Sequence, residues 1–422
     1  MNYIGKTVEI DFKNALKEDK IRGVVLPSST EKVYIIKQKS GYNVGILKEN
    51  IISIKEVKEK IEQVEIVKEK IVKQDSSKKK ILICTIGGTI ASKIDYNTGA
   101  VSAKFSSEDL LNLIPELKTL ANIETHTYGQ IMSEDLKNKN WEEVAQLIYT
   151  KHKDYDGIIL THGTDVLHYT SAVLSYMLEG VNIPVVVVGS QRSSDRPSAD
   201  TTYNLLGAVK FITESKKGGV FVSMHSSSGD TEIDIIAGTR ARKMHSSRRD
   251  AFRSINIEPV AKVVFDLRDI SKAKVKFSDS YKLISSGKLE KPGKLSNDVY
   301  LLKFFPSQDP KIIDYLKKEG YKVIILEGTG LGHVSGDFIP QITKAKDVLF
   351  FMTTQTIYGR VNQNVYSRLR QIKDAGVIGL EDMTTEAAVM KAKYILGKYS
   401  KKEDIIREMT APKALDVGSR TE

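Results

Sequence analysis

Two short turns rich in threonine and glycine each follow an apolar, strand-like run. Residues 85–90 read Thr-Ile-Gly-Gly-Thr-Ile after the apolar run 81–84, and residues 161–165 read Thr-His-Gly-Thr-Asp after the run 157–160. An open α/β sheet places its ligands just past the carboxyl ends of its strands. Hydroxyl and carboxylate groups at such positions favour nucleophilic chemistry over simple packing.

The residue types in and beyond these turns fit amide hydrolysis, which needs a nucleophile, a proton acceptor and oxyanion donors. Thr89 and Thr164 carry hydroxyls, and Asp165 carries a carboxylate that can orient a lysine or bind a substrate ammonium group. A lysine acts as a base when burial or a neighbouring cation lowers its pKa. Lys243 is the candidate, because it follows two arginines in the run Arg-Ala-Arg-Lys.

Two glycines and a histidine complete the candidate site. Gly88 and Gly163 lack side chains, so their backbone N–H groups can come close to a developing oxyanion. His162 adjoins the second turn, and we expect it to orient the loop rather than to bind metal. The seven histidines are scattered without the paired spacing of a zinc site.

Structural interpretations compete with each catalytic assignment. The threonines alone would be loop or cap hydroxyls. Asp165 could cap a helix that starts at Val166. Lys243 could belong to a solvated basic run with its neighbouring arginines. Glu134 and Asp135 could cap the helix that follows them.

The elements that must position these residues alternate between strands and helices from residue 81 onward, which predicts a mainly parallel sheet. Trp141, Val144, Ala145 and Ile148 recur at helical spacing and predict an amphipathic helix that packs on the sheet. The other predicted strands are 158–160, 185–188, 220–223, 323–326 and 348–352, and the other predicted helices are 167–178 and 386–396.

A small all-β domain precedes this α/β body. Short alternating runs separated by turn residues predict a compact β-barrel at 1–60, followed by a charged connector at 61–80. Turn-forming residues at 285–293 predict a boundary between a first α/β domain at 81–285, which carries the threonines, and a second at 297–422.

Composition limits the classes of protein to which this chain can belong. The 422 residues carry a net charge of +11, which permits nucleic-acid binding without requiring it. The single cysteine, Cys84, excludes an internal disulfide framework and is expected to be a buried small hydrophobe in a reducing compartment. No run reaches the roughly 18 apolar residues of a membrane span and no signal peptide is evident, so we expect a cytoplasmic protein without membrane contact.

Several of these segments resemble, in order, landmarks of the bacterial-type asparaginase family. The first signature matches residues 81–92, and the second matches residues 161–165. Segments 190–192, 238–252 and 327–333 are also similar to family landmarks. The N-terminal module looks like the extra domain of one subfamily, the D subunits of the archaeal glutamyl-tRNA(Gln) amidotransferase, which ordinary asparaginases lack.

The resemblance implies roles by position. Thr89 matches the nucleophile that attacks the side-chain amide carbon. Thr164 matches the second threonine of the family, and Asp165 lies beside it. Lys243 matches the lysine that works with these residues. Ser133 and Glu134 match the position that holds the substrate's α-amino and α-carboxylate groups. The sequence departs from the family at Ile86, where threonine is usual, and Ile86 is expected to alter packing under the loop without removing a catalytic group.

The resemblance further implies a glutaminase that releases ammonia from glutamine or asparagine through an acyl-enzyme on Thr89. It implies no metal or other cofactor in this chain, with ATP and Mg²⁺ bound by a partner, the amidotransferase E subunit, which acts on Glu-tRNA(Gln). A homodimer of this chain is also implied. The alternatives are a free-standing asparaginase with an appended β domain, and an RNA-binding or scaffold protein on an inactive asparaginase fold.

Overall fold

A computed structural model describes most of the chain and provides the structure discussed below. The described residues are 3–13, 18–26, 32–37, 43–57, 75–87, 92–94, 101–103, 114, 116–192, 199–266, 269–285 and 287–419. Gly88, Thr89 and most of the predicted connector lie outside them.

The N-terminal domain is an antiparallel sheet, which confirms the all-β prediction. Its strands are β1 (Thr7–Lys13), β2 (Glu18–Leu26), β3 (Val33–Lys37), β4 (Asn43–Leu47) and β5 (Ile51–Glu56). They lie in the order β4-β3-β2-β1-β5. Their alternating apolar residues form a small core of their own that includes Val8, Ile10, Ile21, Val25 and Ile36.

The first lobe of the α/β body is built around an eight-stranded sheet, in the order β17-β16-β13-β12-β11-β10-β6-β9. The strands of the lobe are β6 (Lys80–Thr85), β7 (Ser92–Ile94), β8 (Val101–Ala103), β9 (Asn122–Thr127), β10 (Gly157–Thr161), β11 (Pro184–Val188), β12 (Gly219–His225), β13 (Glu232–Ala237), β14 (Ala241–Lys243), β15 (Phe252–Ser254), β16 (Ala261–Val264) and β17 (Lys274–Phe277). The helices are α1 (Glu116–Leu120), α2 (Asn138–Lys151), α3 (Leu167–Met177), α4 (Thr201–Glu214) and α5 (Asp279–Lys282).

The prediction of a mainly parallel sheet is confirmed. Strands β9, β6, β10, β11 and β12 are mutually parallel. The antiparallel extension of this sheet through β13, β16 and β17 was not predicted from the sequence. β17 is an edge strand with exposed lysines, so its sequence lacks the continuous apolar run of the central strands.

The second lobe is a four-stranded parallel sheet in the order β18-β19-β20-β21. Its strands are β18 (Val299–Lys303), β19 (Val323–Gly328), β20 (Leu349–Thr354) and β21 (Val377–Gly379), and its helices are α6 (Ile312–Lys318), α7 (Phe338–Lys344), α8 (Ser367–Asp374), α9 (Thr385–Lys398) and α10 (Lys402–Thr410). The predicted strands at 323–326 and 348–352 and the predicted helix at 386–396 correspond to β19, β20 and α9, whereas the other elements of this lobe were not predicted; they are β18, β21, α6, α7, α8 and α10.

One apolar core joins the two lobes. It contains Val144 of α2 and Leu174 of α3 from the first lobe together with Ala388 of α9 from the second. The predicted amphipathic helix α2 contributes Val144, Ala145 and Ile148 to this core, as its spacing indicates. Cys84 is fully buried, and this burial raises the pKa of its thiol to about 12, in agreement with an inert packing role. None of the helices in the described part is long and apolar enough to span a bilayer.

Candidate active site

The candidate site lies at the carboxyl edge of the parallel strands. Thr127 of β9, Thr85 of β6, Thr161 of β10 and Val188 of β11 stand in register across the sheet. The loops that leave these strands therefore start side by side, which is the arrangement that collects ligand-binding groups in α/β proteins.

The first turn is held tightly at its start. The Ile86 amide donates to the Thr161 carbonyl at 3.1 Å, and the Ile86 carbonyl accepts from the Ile131 amide at 3.0 Å. Gly87 has φ of 142°, and a Cβ there would lie 2.3 Å from the Ile131 carbonyl oxygen, so only glycine fits. The Ile86 side chain is buried in the apolar core shared by the two lobes, at the base of the loop where it was expected to alter packing.

The second turn meets a lysine from a distant strand. Lys243 Nζ donates to Thr164 Oγ1 at 2.8 Å and to Asp165 Oδ1 at 2.7 Å. The Lys243 side chain is 9% exposed, whereas that of Asp165 is 69% exposed. The structure thus brings together three of the four residues predicted to be catalytic, in the contact that a nucleophile or proton relay and its base require.

Two structural interpretations of these residues are wrong. Helix α3 is capped by Val166 without a side-chain hydrogen bond, and the Asp165 carboxylate binds Lys243 instead of a helix terminus. Lys243 is not part of a solvated run, since its side chain is almost fully buried.

The arginines near Lys243 in sequence are each paired with a carboxylate. These pairs are Arg240 with Asp382, Arg242 with Glu386, Arg248 with Asp250, and Arg249 with Asp230. The sequence left open whether these arginines lie close to the lysine or form a solvated basic run with it. In the structure these charges are instead engaged in ion pairs, two of which reach the second lobe.

A buried hydrogen-bonded chain supports the second turn. Trp141 Nε1 donates to Thr170 Oγ1 at 2.8 Å, and Thr170 Oγ1 lies 2.8 Å from His162 Nε2. Burial lowers the pKa of His162 to about 4, so the ring is neutral. Its Nδ1 is 2.6 Å from the Gly163 carbonyl, which can only accept, so Nδ1 carries the proton and Thr170 donates to Nε2.

This chain of hydrogen bonds fixes the loop that carries Thr164. Helical spacing predicted Trp141 on the packing face of α2. Its polar role was not predicted, although the indole N–H was an available signal for it. A third element also shapes the loop, because a Cβ on Gly189 would lie 2.7 Å from Thr164 Cγ2. Glycine at that position leaves space for the threonine.

Ser133 and Glu134 lie in a short 3₁₀ turn that follows β9. Ser133 is buried, and its hydroxyl donates to Glu134 Oε2 at 3.2 Å, while the Glu134 side chain faces solvent. Neither Glu134 nor Asp135 caps the following helix, because α2 begins at Asn138 and is capped at Lys137. The capping interpretation is therefore wrong, and the exposed carboxylate remains available to a ligand.

Two buried histidines beside the site predict a pH-dependent stability. Burial lowers the pKa of His162 to about 4 and, with help from Arg242 and Lys243, that of His168 to about 3, from the ordinary value of 6.5. Between those values the unfolded chain binds protons that the folded chain does not, so stability falls as the pH drops below about 6.5. Each histidine is expected to cost about 2 kcal/mol at pH 5 relative to pH 8.

Urea unfolding measured between pH 8 and pH 5 checks this expectation. His168 packs against Tyr169 and Phe252, and its Nδ1 makes no hydrogen bond within the described residues. His168→Phe is therefore expected to keep the packing and to remove about half of the pH dependence contributed by the pair. An unchanged pH dependence in this variant would exclude His168 as a source.

No cluster of three or more potential metal ligands occurs in the described part of the chain. A cavity of about 80 Å³ lies between the lobes, next to the strand that carries Lys243, and is lined by Arg242, Lys303, Glu327, Gln355 and Glu386 among others.

Fold and site together define a chain of the asparaginase class. The family model for the asparaginase N-terminal domain matches residues 80–277, and that for the glutaminase/asparaginase C-terminal domain matches residues 298–409. The chain belongs to the family of glutamyl-tRNA(Gln) amidotransferase D subunits. The family model for the GatD N-terminal domain matches residues 5–57.

Individual relatives agree with this membership. The glutamyl-tRNA(Gln) amidotransferase D subunit of Methanococcus maripaludis is 41% identical over 404 residues, which cover 95% of this chain and 94% of the relative. The corresponding protein of Pyrococcus furiosus is 42% identical over 382 residues, covering 89% and 86%. The solved thermostable L-asparaginase from Thermococcus kodakarensis aligns with a TM-score of 0.71 at 30% identity, covering 81% of this chain and all of the asparaginase.

Proposed function

We propose that this chain is the glutaminase component of a tRNA-dependent amidotransferase, which hydrolyses the side-chain amide of glutamine or asparagine to supply ammonia. The observation that carries the proposal is the contact of Lys243 Nζ with Thr164 Oγ1 and Asp165 Oδ1 at the carboxyl edge of the sheet. The N-terminal domain shared with the D subunits distinguishes the chain from a free-standing asparaginase.

In this mechanism the Thr89 hydroxyl attacks the amide carbon and forms an acyl-enzyme, while the amide nitrogen takes up a proton and leaves as ammonia. Lys243 and Thr164 lie within hydrogen-bonding distance and form a relay that accepts the nucleophile's proton and returns one to the leaving group. Water then attacks the acyl carbon, and the proton returns to Thr89 as glutamate or aspartate is released.

Substrate binding and oxyanion stabilisation complete the assignments. The backbone N–H groups of Gly88 and Gly163 stabilise the oxyanion, because preorganised donors act strongly in a site that excludes water. Ser133 and Glu134 hold the α-amino and α-carboxylate groups of the amide donor. The exposed side of the Asp165 carboxylate offers a second contact for the substrate's ammonium group.

The complex divides the chemistry between its components. This chain binds no cofactor of its own in the proposal, and the amidotransferase E subunit binds ATP and Mg²⁺, activates Glu-tRNA(Gln) and accepts the ammonia. Two copies of this chain form a homodimer. Exposed apolar side chains on the loops after β18 and β20 support a protein contact there; they are Phe305, Ile357, Tyr358, Val365 and Tyr366.

Free hydrolysis of glutamine would waste it, so we expect slow ammonia release by the isolated chain. The E subunit together with Glu-tRNA(Gln) is expected to raise the rate by favouring the reactive arrangement of the Thr89 loop. The stimulation is expected to weaken as salt rises, because phosphate contacts release counterions.

The measurement is ammonia release from glutamine by the chain alone, with the E subunit, and with both the E subunit and Glu-tRNA(Gln), each at low and high salt. Full activity of the isolated chain, unchanged by either addition, would favour the free-standing asparaginase. No activity in any mixture would favour an RNA-binding or scaffold role on an inactive fold.

A further inference from the structure

The strand that presents Lys243 is too short to hold its own position. β14 contains three residues and, in the part of the chain that the structure describes, pairs with β15 alone, through Ala241 with Ser254 and Lys243 with Phe252. A two-stranded ribbon is at best marginally stable in water on its own, and Ala241 and Phe252 of this hairpin pack in the apolar core that joins the lobes. The placement of the lysine amine against Thr164 must therefore depend on contacts that anchor this hairpin from outside.

Arg240, which immediately precedes β14, supplies such an anchor. Its side chain is fully buried, and its guanidinium binds the second lobe and the segment that follows α10. Nε donates to the Leu415 carbonyl at 2.6 Å, Nη1 to the Asp382 carbonyl at 2.9 Å, and Nη2 to Asp382 Oδ2 at 3.2 Å. The Arg240 carbonyl accepts from the Ile255 amide at 2.9 Å, which ties the residue to both sides of the hairpin.

The C-terminal segment 414–418 is shaped to receive this arginine. Ala414 and Leu415 have φ values of 48° and 64°, a left-handed conformation that is uncommon for residues with side chains. Their carbonyls accept from Thr239 Oγ1 at 2.7 Å and from Arg240 Nε. Two strained residues in succession are kept in this conformation only where several surrounding contacts hold the backbone in place.

The same segment is locked to the second lobe. The Gly418 amide donates to Asp382 Oδ1 at 2.9 Å, and Arg360 Nη2 donates to the Gly418 carbonyl at 2.6 Å. A second arginine of the hairpin, Arg242 in β14, pairs with Glu386 in the first turn of α9. Carboxylates of the second lobe thus bind the residue that precedes the lysine strand and the central residue of that strand.

We propose that Arg240 is a positioning residue for Lys243, and that the second lobe, through Asp382 and the segment 414–418, sets the distance between the lysine amine and Thr164. The inference rests on the proposed function, because it assigns to Arg240 an effect that passes through a catalytic lysine. Small displacements of such a group reduce turnover strongly while substrate contacts on other loops remain.

Arg240→Met tests the proposal, with Arg248→Met as the matched control. Arg248 lies between β14 and β15, its side chain is 55% exposed, and it pairs with Asp250 of the same hairpin. We expect Arg240→Met to lower kcat for ammonia release by about ten- to a hundredfold with KM changed less than about twofold. Arg248→Met is expected to change neither by more than about twofold.

A double-mutant cycle distinguishes positioning from general destabilisation. In the Lys243→Met background, Arg240→Met is expected to cause no further loss of kcat, because the lysine amine that Arg240 positions is already absent. A further loss equal to that in the wild-type background, or an unchanged kcat in the single variant, would overturn the proposal. All assays are made well below the unfolding midpoint of each variant.

Asp382→Asn keeps the outcome decisive if Arg240→Met does not fold. It removes the carboxylate charge while retaining the backbone carbonyl that also binds Arg240. The same selective loss of kcat supports the proposal, and an unchanged kcat contradicts it. If Lys243→Met itself retains normal turnover, the proposed function fails. Failure of the proposed function is thereby distinguished from failure of the positioning role of Arg240.

Discussion

Replacing Lys243 with methionine is expected to lower ammonia release from glutamine by at least about a thousandfold, as loss of a proton-transfer group commonly does. Methionine fills nearly the same volume but cannot exchange a proton with the Thr164 hydroxyl, which lies 2.8 Å from the lysine amine. The effect is expected in kcat rather than in KM, and the measurement is steady-state ammonia release in the presence of the amidotransferase E subunit and Glu-tRNA(Gln).

Arg248→Met is the control for the loss of one positive charge from this stretch of the chain. Arg248 belongs to the same basic stretch, but its side chain is 55% exposed and pairs with Asp250. Activity close to the wild type is expected for this variant. If Lys243→Met kept its turnover and instead bound tRNA less tightly, the lysine would belong to an RNA surface and not to the catalytic relay.

Removing the nucleophile has the second large expected effect. Thr89→Val retains the shape of the side chain and loses the hydroxyl, so we expect activity to fall by several orders of magnitude while the fold persists. Thr410→Val, which removes an exposed hydroxyl on α10, is expected to have no effect.

Mass spectrometry of the quenched reaction locates the covalent intermediate. An acyl adduct on the peptide that contains Thr89 is expected for the wild type and for Lys243→Met if deacylation is slowed. An adduct on Thr164 would show that the second threonine, which the structure places against the lysine, is the nucleophile. Near-normal ammonia release by Thr89→Val would point to the same reassignment.

Local sequence was sufficient to place the two threonine turns. Each turn follows a continuous apolar run, and buried parallel strands have that character because both of their faces are covered. The strand β10 and the helix α3 were predicted within a few residues for the same reason. The position of Thr164 and Asp165 at the sheet edge followed from these elements.

The contacts of Lys243 could not be predicted from local sequence. The lysine reaches Thr164 from 79 residues away, on a hairpin of two three-residue strands whose pattern is too short to detect. The surrounding arginines looked like a solvated basic run, because nothing local shows that carboxylates such as Asp382 and Glu386 come from the second lobe. Tertiary packing determines which basic side chains in such a run are paired with carboxylates and which face solvent.

Transfer of labelled nitrogen from the amide donor to the amino acid on the tRNA tests whether this site is the source of the ammonia. Glutamine labelled with ¹⁵N at the side-chain amide is incubated with this chain, the E subunit, ATP, Mg²⁺ and Glu-tRNA(Gln), and the amino acid released from the tRNA is analysed. We expect labelled glutamine on the tRNA with the wild-type chain and none above background with Lys243→Met. Labelled product at the wild-type rate with Lys243→Met, or no labelled product with the wild-type chain, would contradict the assignment of this site as the source of ammonia.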